Sequence, residues 1–263
     1  GRGRVSLTRG DLGRLDAGEF LNDSLIDFYL KWLRDHQSRP ALRDQCHFFS
    51  SHFYTKLEGA GFGGDRPDHA AVRRWTRGVN LFAKRLVFVP VNQAAHWSLA
   101  VVCSPGHLAI SAEEFGAPCV LHLDSLRLHS GKEVARRLRG YLALEYEKQY
   151  PGGGPVAFTA STMPLVRPPV PSQGNTSDCG VYVLEYAKRI LTEPAFTKPT
   201  SIQVESRFQD FLNRKMFGES LIREKRQAIR KLILQLHDEQ QQQQQHEPKS
   251  ESGQTNGKTT MTL

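Results

Sequence analysis

Ser177-Asp178-Cys179-Gly180-Val181-Tyr182 opens a segment in which Gly180, Val183, Leu184, Ala187, Ile190 and Leu191 recur at the 3.6-residue period of a helix with one buried face. Cys179 therefore falls in the first turn of a core helix. There the positive end of the backbone dipole favours a thiolate over a thiol. Gly180 follows it, and the missing side chain leaves room for a carbonyl to approach the sulfur. Upstream lie His96 and Asp124, a base and an orienting carboxylate. Together these residues point to a cysteine hydrolase.

Outward from that helix, the middle third of the chain is strand-like, at 86–91, 96–103 and 119–123. Pro164, Pro168, Pro169 and Pro171 mark an extended loop leading into the cysteine helix. Near the start, Asn22 or Asp23 caps a helix whose core side is Leu25, Ile26, Phe28, Tyr29, Trp32 and Leu33. Residues 219–237 read as an amphipathic helix with Leu221, Ile222, Ala228, Ile229, Leu232, Ile233 and Leu236 as its buried stripe. Helices at both ends of a central set of strands give an α+β class rather than a doubly wound sheet. From Glu239 on, a glutamine run (240–245) is followed by residues with almost nothing apolar. Such a segment cannot offset its ordering entropy, so the expected organisation is one domain over 1–238 and a disordered Gln-rich tail over 239–263.

The chain has 263 residues, enough for one substantial domain, and 39% of them are hydrophobic. It contains no apolar run of membrane-spanning length, so no membrane partner is expected. It begins with Gly1 rather than Met and reads as a piece of a larger protein. Cys46, Cys103, Cys119 and Cys179 show no CxxC spacing, which favours free thiols in a reducing compartment. The ten histidines form no HxxxH set, so neither a metal nor another cofactor is expected. A net charge of +8 suits an acidic partner. Nucleic acid is one such partner, but the arginines are scattered and form no recognisable binding module; a basic surface that steers an acidic protein fits equally well, and charge alone does not decide between them.

Thiol hydrolysis needs a thiolate, a base that later serves as acid, an orienting group and oxyanion donors. His96 opens a strand and Asp124 closes another, so both sit at a sheet end, where an imidazole and a carboxylate can meet. Gln173, six residues before Cys179, can supply an amide to the oxyanion together with the Cys179 backbone N–H. Taken singly, each has a plainer role. An isolated histidine is usually structural, a strand-ending Asp a turn residue, and a buried Cys a small hydrophobe, as Cys103 and Cys119 read. The order and context of the three carry the argument.

Those residues fall within a longer set of segments: Gly18-Glu19-Phe20-Leu21-Asn22-Asp23, Arg74-Trp75-Thr76-Arg77-Gly78-Val79-Asn80, Val89-Pro90-Val91-Asn92, His96-Trp97-Ser98-Leu99, Leu123-Asp124-Ser125-Leu126 and Gln173-Gly174-Asn175-Thr176-Ser177-Asp178-Cys179-Gly180. In this order they resemble the catalytic domain of the SUMO (sentrin)-specific cysteine proteases, the ubiquitin-like-protein protease family, over about residues 6 to 238. The resemblance implies a papain-like (adenovirus-protease-like) core and a His96–Asp124–Cys179 triad with Gln173 at the oxyanion hole. It also implies that Trp97 helps roof a narrow tunnel for the substrate's Gly-Gly tail. The aromatic on the other side, often Trp in the family, is Phe20 here. By the same analogy Asp23, Arg74 and Trp75 would meet the folded body of the substrate, their plainer roles being a cap, a surface charge and a core aromatic.

Phe20, Phe53-Tyr54, Pro118-Cys119-Val120-Leu121 and the closing Leu232 to His237 stretch point toward the branch that trims poly-SUMO chains, although the segment between Cys103 and Cys119 is short for it. The implied enzyme is a SUMO isopeptidase, monomeric, cofactor-free and nuclear, with SUMO and SUMO-conjugated proteins as partners. Alternatives are a NEDD8-specific protease of the same fold, a SUMO reader without turnover and, last, a nucleic-acid binder.

Overall fold

A computed structural model of the chain describes residues 5–38, 40–59, 67–108, 118–154, 156–193, 212–246 and 261–262. The helices are α1 (Arg9–Gly13), α2 (Asp23–Trp32), α3 (Pro40–Arg43), α4 (His52–Glu58), α5 (His69–Val72), α6 (Gly131–Gln149), α7 (Cys179–Thr192) and α8 (Glu219–His246). The strands are β1 (Ser6–Leu7), β2 (Cys46–Phe48), β3 (Leu86–Gln93), β4 (His96–Cys103), β5 (Cys119–Leu123), β6 (Leu165–Val166) and β7 (Met261–Thr262). A mixed five-stranded sheet has the order β2-β3-β4-β5-β6, parallel at each outer pair and antiparallel within.

Both faces of this sheet are covered, which is why its strands read as continuous apolar runs rather than alternating ones. On one face Leu86, Phe88, Trp97, Leu99, Val101, Leu121 and Leu123 pack with α2, α7 and α8. On the other, Val87, Val89, Val91, Ala100, Val102 and Val120 pack with α4 and α6. Pro90 is tolerated because β2 stops at Phe48, opposite Phe88. The turn between β3 and β4 is two residues long, and Ala94 and Ala95 both have positive φ, 49° and 59°. That is the sense of a type I′ hairpin, usually made by Asn-Gly, and it sets His96 as the first residue of its strand.

Asn22 is the N-cap of α2, its Oδ1 accepting the Leu25 N–H at 3.2 Å. The cysteine helix α7 begins at Cys179, but it is buried nearly all round rather than along one stripe. Sandwiched between the sheet, α2 and α8, it has no solvent face for most of its length.

Three expectations differ from the structure. The long helix α6 has no counterpart among the expected elements. Val134, Ala135, Leu138, Tyr141 and Leu142 recur at helical spacing, but charged residues dominate the segment and two of them, Arg137 and Glu145, are buried. The proline loop contributes Leu165–Val166 as a parallel partner of β5. Third, α8 does not stop at His237 but runs through the glutamines to His246, so the expected disordered tail is helical in its first part. Glutamine is a good helix former, and Gln235 to Glu239 and Gln241 to His237 hydrogen bonds span successive turns. The rest of that tail lies outside the described residues, except that Met261–Thr262 pairs with Ser6–Leu7.

Candidate active site

His96, at the start of β4, and Asp124, just past the end of β5, meet at one end of the sheet. His96 Nε2 lies 2.7 Å from Asp124 Oδ1, and both groups are buried. Cys179 comes from the opposite layer and interacts with the same imidazole, for which Asp124, on Nε2, leaves Nδ1 free. The loop after β5 turns at Arg127, whose φ is 57°. That turn wraps the backbone N–H groups of Leu126, Arg127 and His129 around the carboxylate at 3.0, 2.9 and 2.9 Å. Burial opposes ionisation of Asp124, but His96 and these N–H donors outweigh it and hold the carboxyl well below its usual range. Burial likewise opposes protonation of His96, yet Asp124 and Cys179 together push it up to about 9. At neutral pH the imidazole is therefore a cation beside the sulfur, the counter-ion a thiolate needs.

Gln173 is buried, and its side chain is fixed at both ends. Oε1 accepts from Ser125 Oγ at 2.5 Å, and Nε2 donates one hydrogen to the Asn175 carbonyl at 2.7 Å, leaving a second hydrogen for another acceptor. The loop carrying it is tied to the cysteine helix, where Tyr182 and Tyr186 donate their hydroxyls to the carbonyls of Ser172 and Pro171. Cys179 opens that helix, where backbone N–H groups have no intrahelical acceptor. Ser125, Asn175 and the two tyrosines had no role in the sequence reading; only Ser125 carried a signal, as the neighbour of Asp124.

Trp97 points to the other side of β4 and is 3% exposed, its indole N–H donating to the Leu21 carbonyl at 2.9 Å. The neighbouring Phe20 is 41% exposed. Leu21 itself lies on the start of α7, where a Cβ added at Gly180 would come 2.9 Å from Leu21 Cβ. Phe20 thus forms an open rim whose backbone is held against both Trp97 and the cysteine helix. Asp23 begins α2, half-buried, with His52 3.6 Å away. Arg74 is exposed on an open basic hollow of about 810 Å³ with Arg73, Arg77 and Lys148. Trp75 is half-buried, its ring 5.7 Å from Phe53. Among the described residues no hydrogen bond or ring contact ties Arg74 or Trp75 to the Cys179 site.

Behind His96 stands a second set of imidazoles. The His129 ring is 4.7 Å from that of His96, and its Nε2 donates to the Gln93 carbonyl at 3.2 Å. His129 Nδ1 must then accept from Ser98 Oγ at 2.7 Å, and Ser98 in turn accepts from His122 Nε2 at 3.0 Å. Burial keeps both rings neutral, pushing His122 down to about 4. Ligand atoms of His96, Asp124 and His129 approach within 4.8 Å of one another, and these hydrogen bonds account for that proximity.

Residues 19–227 match the Ulp1 protease family, C-terminal catalytic domain. The chain belongs to this family. Sentrin-specific protease 7 of Homo sapiens is 33% identical over 301 aligned positions, covering 91% of this chain and 28% of that protein. Probable ubiquitin-like-specific protease 2A of Arabidopsis thaliana is 33% identical, covering 89% of this chain and 31% of its own length. The chain thus spans about three tenths of the curated relatives it matches. The first alignment is longer than the 263 residues available, so that relative carries inserted segments this chain lacks.

Among solved structures, one described as the de-sumoylating protease has a TM-score of 0.69 at 21% identity, covering 93% of this chain and 96% of that one. The C-terminal Ulp1 protease domain in complex with Smt3, the yeast SUMO orthologue, has a TM-score of 0.53 at 19% identity, covering 88% and 87%. These likenesses establish the α+β, Ulp1-type fold expected from the sequence.

Proposed function

We propose that this chain is a cysteine-type isopeptidase and endopeptidase that hydrolyses the bond after the Gly-Gly tail of SUMO, releasing SUMO from target lysines. The observation that carries this reading is the 2.7 Å His96–Asp124 contact beside a cysteine that opens a helix. Cys179 Sγ attacks the terminal glycine carbonyl carbon. The Cys179 backbone N–H and the remaining Gln173 amide hydrogen stabilise the oxyanion. Protonated His96 gives its proton to the departing lysine Nζ, leaving a thioester. Water, deprotonated by His96, then hydrolyses that thioester and regenerates the thiolate–imidazolium pair. Asp124 holds the ring orientation and stabilises its charge throughout.

Phe20 and Trp97 flank the slot through which the tail passes, admitting glycine and rejecting residues with a Cβ. Recognition of the folded body then falls to Asp23, Arg74 and Trp75. The names of the relatives, sentrin-specific and ubiquitin-like-specific, support a ubiquitin-like modifier as partner. Phe20 in place of the more usual Trp supports SUMO chains as the preferred form, and the family resemblance supports a monomer acting in the nucleus.

A SUMO fusion carrying a C-terminal reporter protein tests the reading. Wild type cleaves it after Gly-Gly; Cys179→Ala abolishes cleavage and keeps its Kd for SUMO within about threefold, because the sulfur adds little to recognition. Unchanged cleavage by Cys179→Ala refutes the nucleophile, and cleavage of a NEDD8 fusion alone replaces the modifier.

A further inference from the structure

Arg226 lies on α8, far along the chain from the nucleophile, yet its buried guanidinium is spent on the site's surroundings. Nε and Nη2 both bond Asp178 Oδ1, at 2.8 and 2.6 Å. Nη2 also donates to the carbonyls of Glu19 at 2.8 Å and Ser177 at 3.2 Å. Nη1 donates to the carbonyls of Arg14 at 3.2 Å and Asp16 at 3.1 Å. Every nitrogen of the fork is used, and it joins three things: the helix α8, the residue immediately before Cys179, and the backbone leading into Phe20.

Two consequences follow from elementary electrostatics and geometry. Asp178 places a carboxylate one residue before the nucleophile, and it does not cap the helix with its side chain. Its second oxygen accepts from Asn175 Nδ2 at 2.7 Å, a neutral donor, so among the described residues Arg226 is the cation that offsets its charge beside the Cys179 sulfur. The carbonyls of residues 14–19 meanwhile fix the path of the segment that ends in Phe20 and Leu21. Trp97 holds the Leu21 carbonyl from the other side. Arg226 therefore sets where the rim of the slot stands relative to the sulfur.

We propose that Arg226 is a positioning residue for the reaction: it couples the placement of the Phe20 rim to the start of the Cys179 helix and offsets the Asp178 charge beside the nucleophile. This rests on the reading of Cys179 as nucleophile, but its first test needs no substrate.

The measurements are the rate of Cys179 carbamidomethylation by iodoacetamide, followed by peptide mass spectrometry, and hydrolysis of a SUMO C-terminal coumarin amide. Arg226→Met is expected to slow alkylation and kcat about tenfold each, with KM changed less than about threefold, from an uncompensated nearby charge and a displaced rim. Adding Asp178→Asn should return alkylation to within about twofold of wild type while kcat stays low, because the 14–19 carbonyls still lack their donor. Arg230→Met removes other ties from α8 to the same loop, to the Leu12 carbonyl and Asp16, and is expected to lower Tm with both rates kept.

If Arg226→Met does not fold, Arg226→Lys decides: the charge stays, the fork is lost, and kcat falls about threefold or more with alkylation nearly unchanged. Wild-type kcat in Arg226→Lys overturns the proposal. So does Arg226→Met alkylating at the wild-type rate, or losses in it that Arg230→Met reproduces at equal Tm. A wild type that alkylates at Cys179 but leaves SUMO uncut refutes the substrate reading alone.

Discussion

His96 is where the chemistry is most sensitive to its surroundings. Its folded value, pushed to about 9 against an ordinary 6.5, is set by the Asp124 carboxylate and Cys179 outweighing burial. The sign is that of a cation gaining partners. The stabilisation is complete below about 6.5 and is lost as pH rises through about 9. Activity that needs the imidazolium should fall over the same basic limb. Asp124→Asn removes the charge and frees the wrong tautomer, so kcat/KM should drop by about a hundredfold or more. The basic limb should also move down toward 6.5, read from pH–rate profiles. An unmoved limb would detach Asp124 from the imidazole. His96, Asp124, Gln173 and Cys179 were legible in the sequence as candidates because thiol hydrolysis demands those residue types in such settings. Asn175, His129 and Arg226 were not, and Ser125 was legible only as the neighbour of Asp124. Each acts through a contact made by a loop turn or by a helix distant in sequence, and neither leaves a local pattern.

Among the elements, the start of α7 shows how packing and catalysis share one glycine. In an exposed helix Gly→Ala stabilises by about 1 kcal/mol. At Gly180 the new methyl would meet Leu21 Cβ at 2.9 Å, a stub that cannot swing away. Gly180→Ala should therefore lower Tm and displace the Phe20–Leu21 segment, costing about tenfold in kcat/KM for a SUMO coumarin amide, with circular dichroism unchanged. A higher Tm with full activity would contradict the packing account. The central strands, the capped α2 and the origin of α7 at Cys179 were all readable from periodicity and caps. The type I′ turn that presents His96 was not, because Ala94 and Ala95 lack the usual Asn-Gly signal. The end of α8 was misjudged because glutamine is poor in core contacts yet a good helix former.

At the scale of the molecule, two cores on opposite faces of one sheet hold His96 and Cys179, the proposed base and nucleophile, on different layers, so the proposed site exists only when both layers are assembled. The net charge of +8 and the hollow lined by Arg73, Arg74, Arg77 and Lys148 give the surface a basic side. An acidic folded partner should therefore be steered in. kcat/KM for a SUMO substrate should fall about tenfold between low and 0.5 M salt (roughly), while alkylation of Cys179 by a small neutral reagent changes little. A salt-independent kcat/KM would leave the basic side without a part in recognition. The central claim is narrower: Cys179 serves a Gly-Gly tail delivered by a SUMO body. SUMO, NEDD8 and ubiquitin, each bearing a C-terminal electrophile, test it most directly when offered to wild type and to Cys179→Ala. The account predicts a covalent adduct with the SUMO probe at Cys179 and none in the variant; labelling by another modifier alone, or an adduct that survives Cys179→Ala, would contradict it.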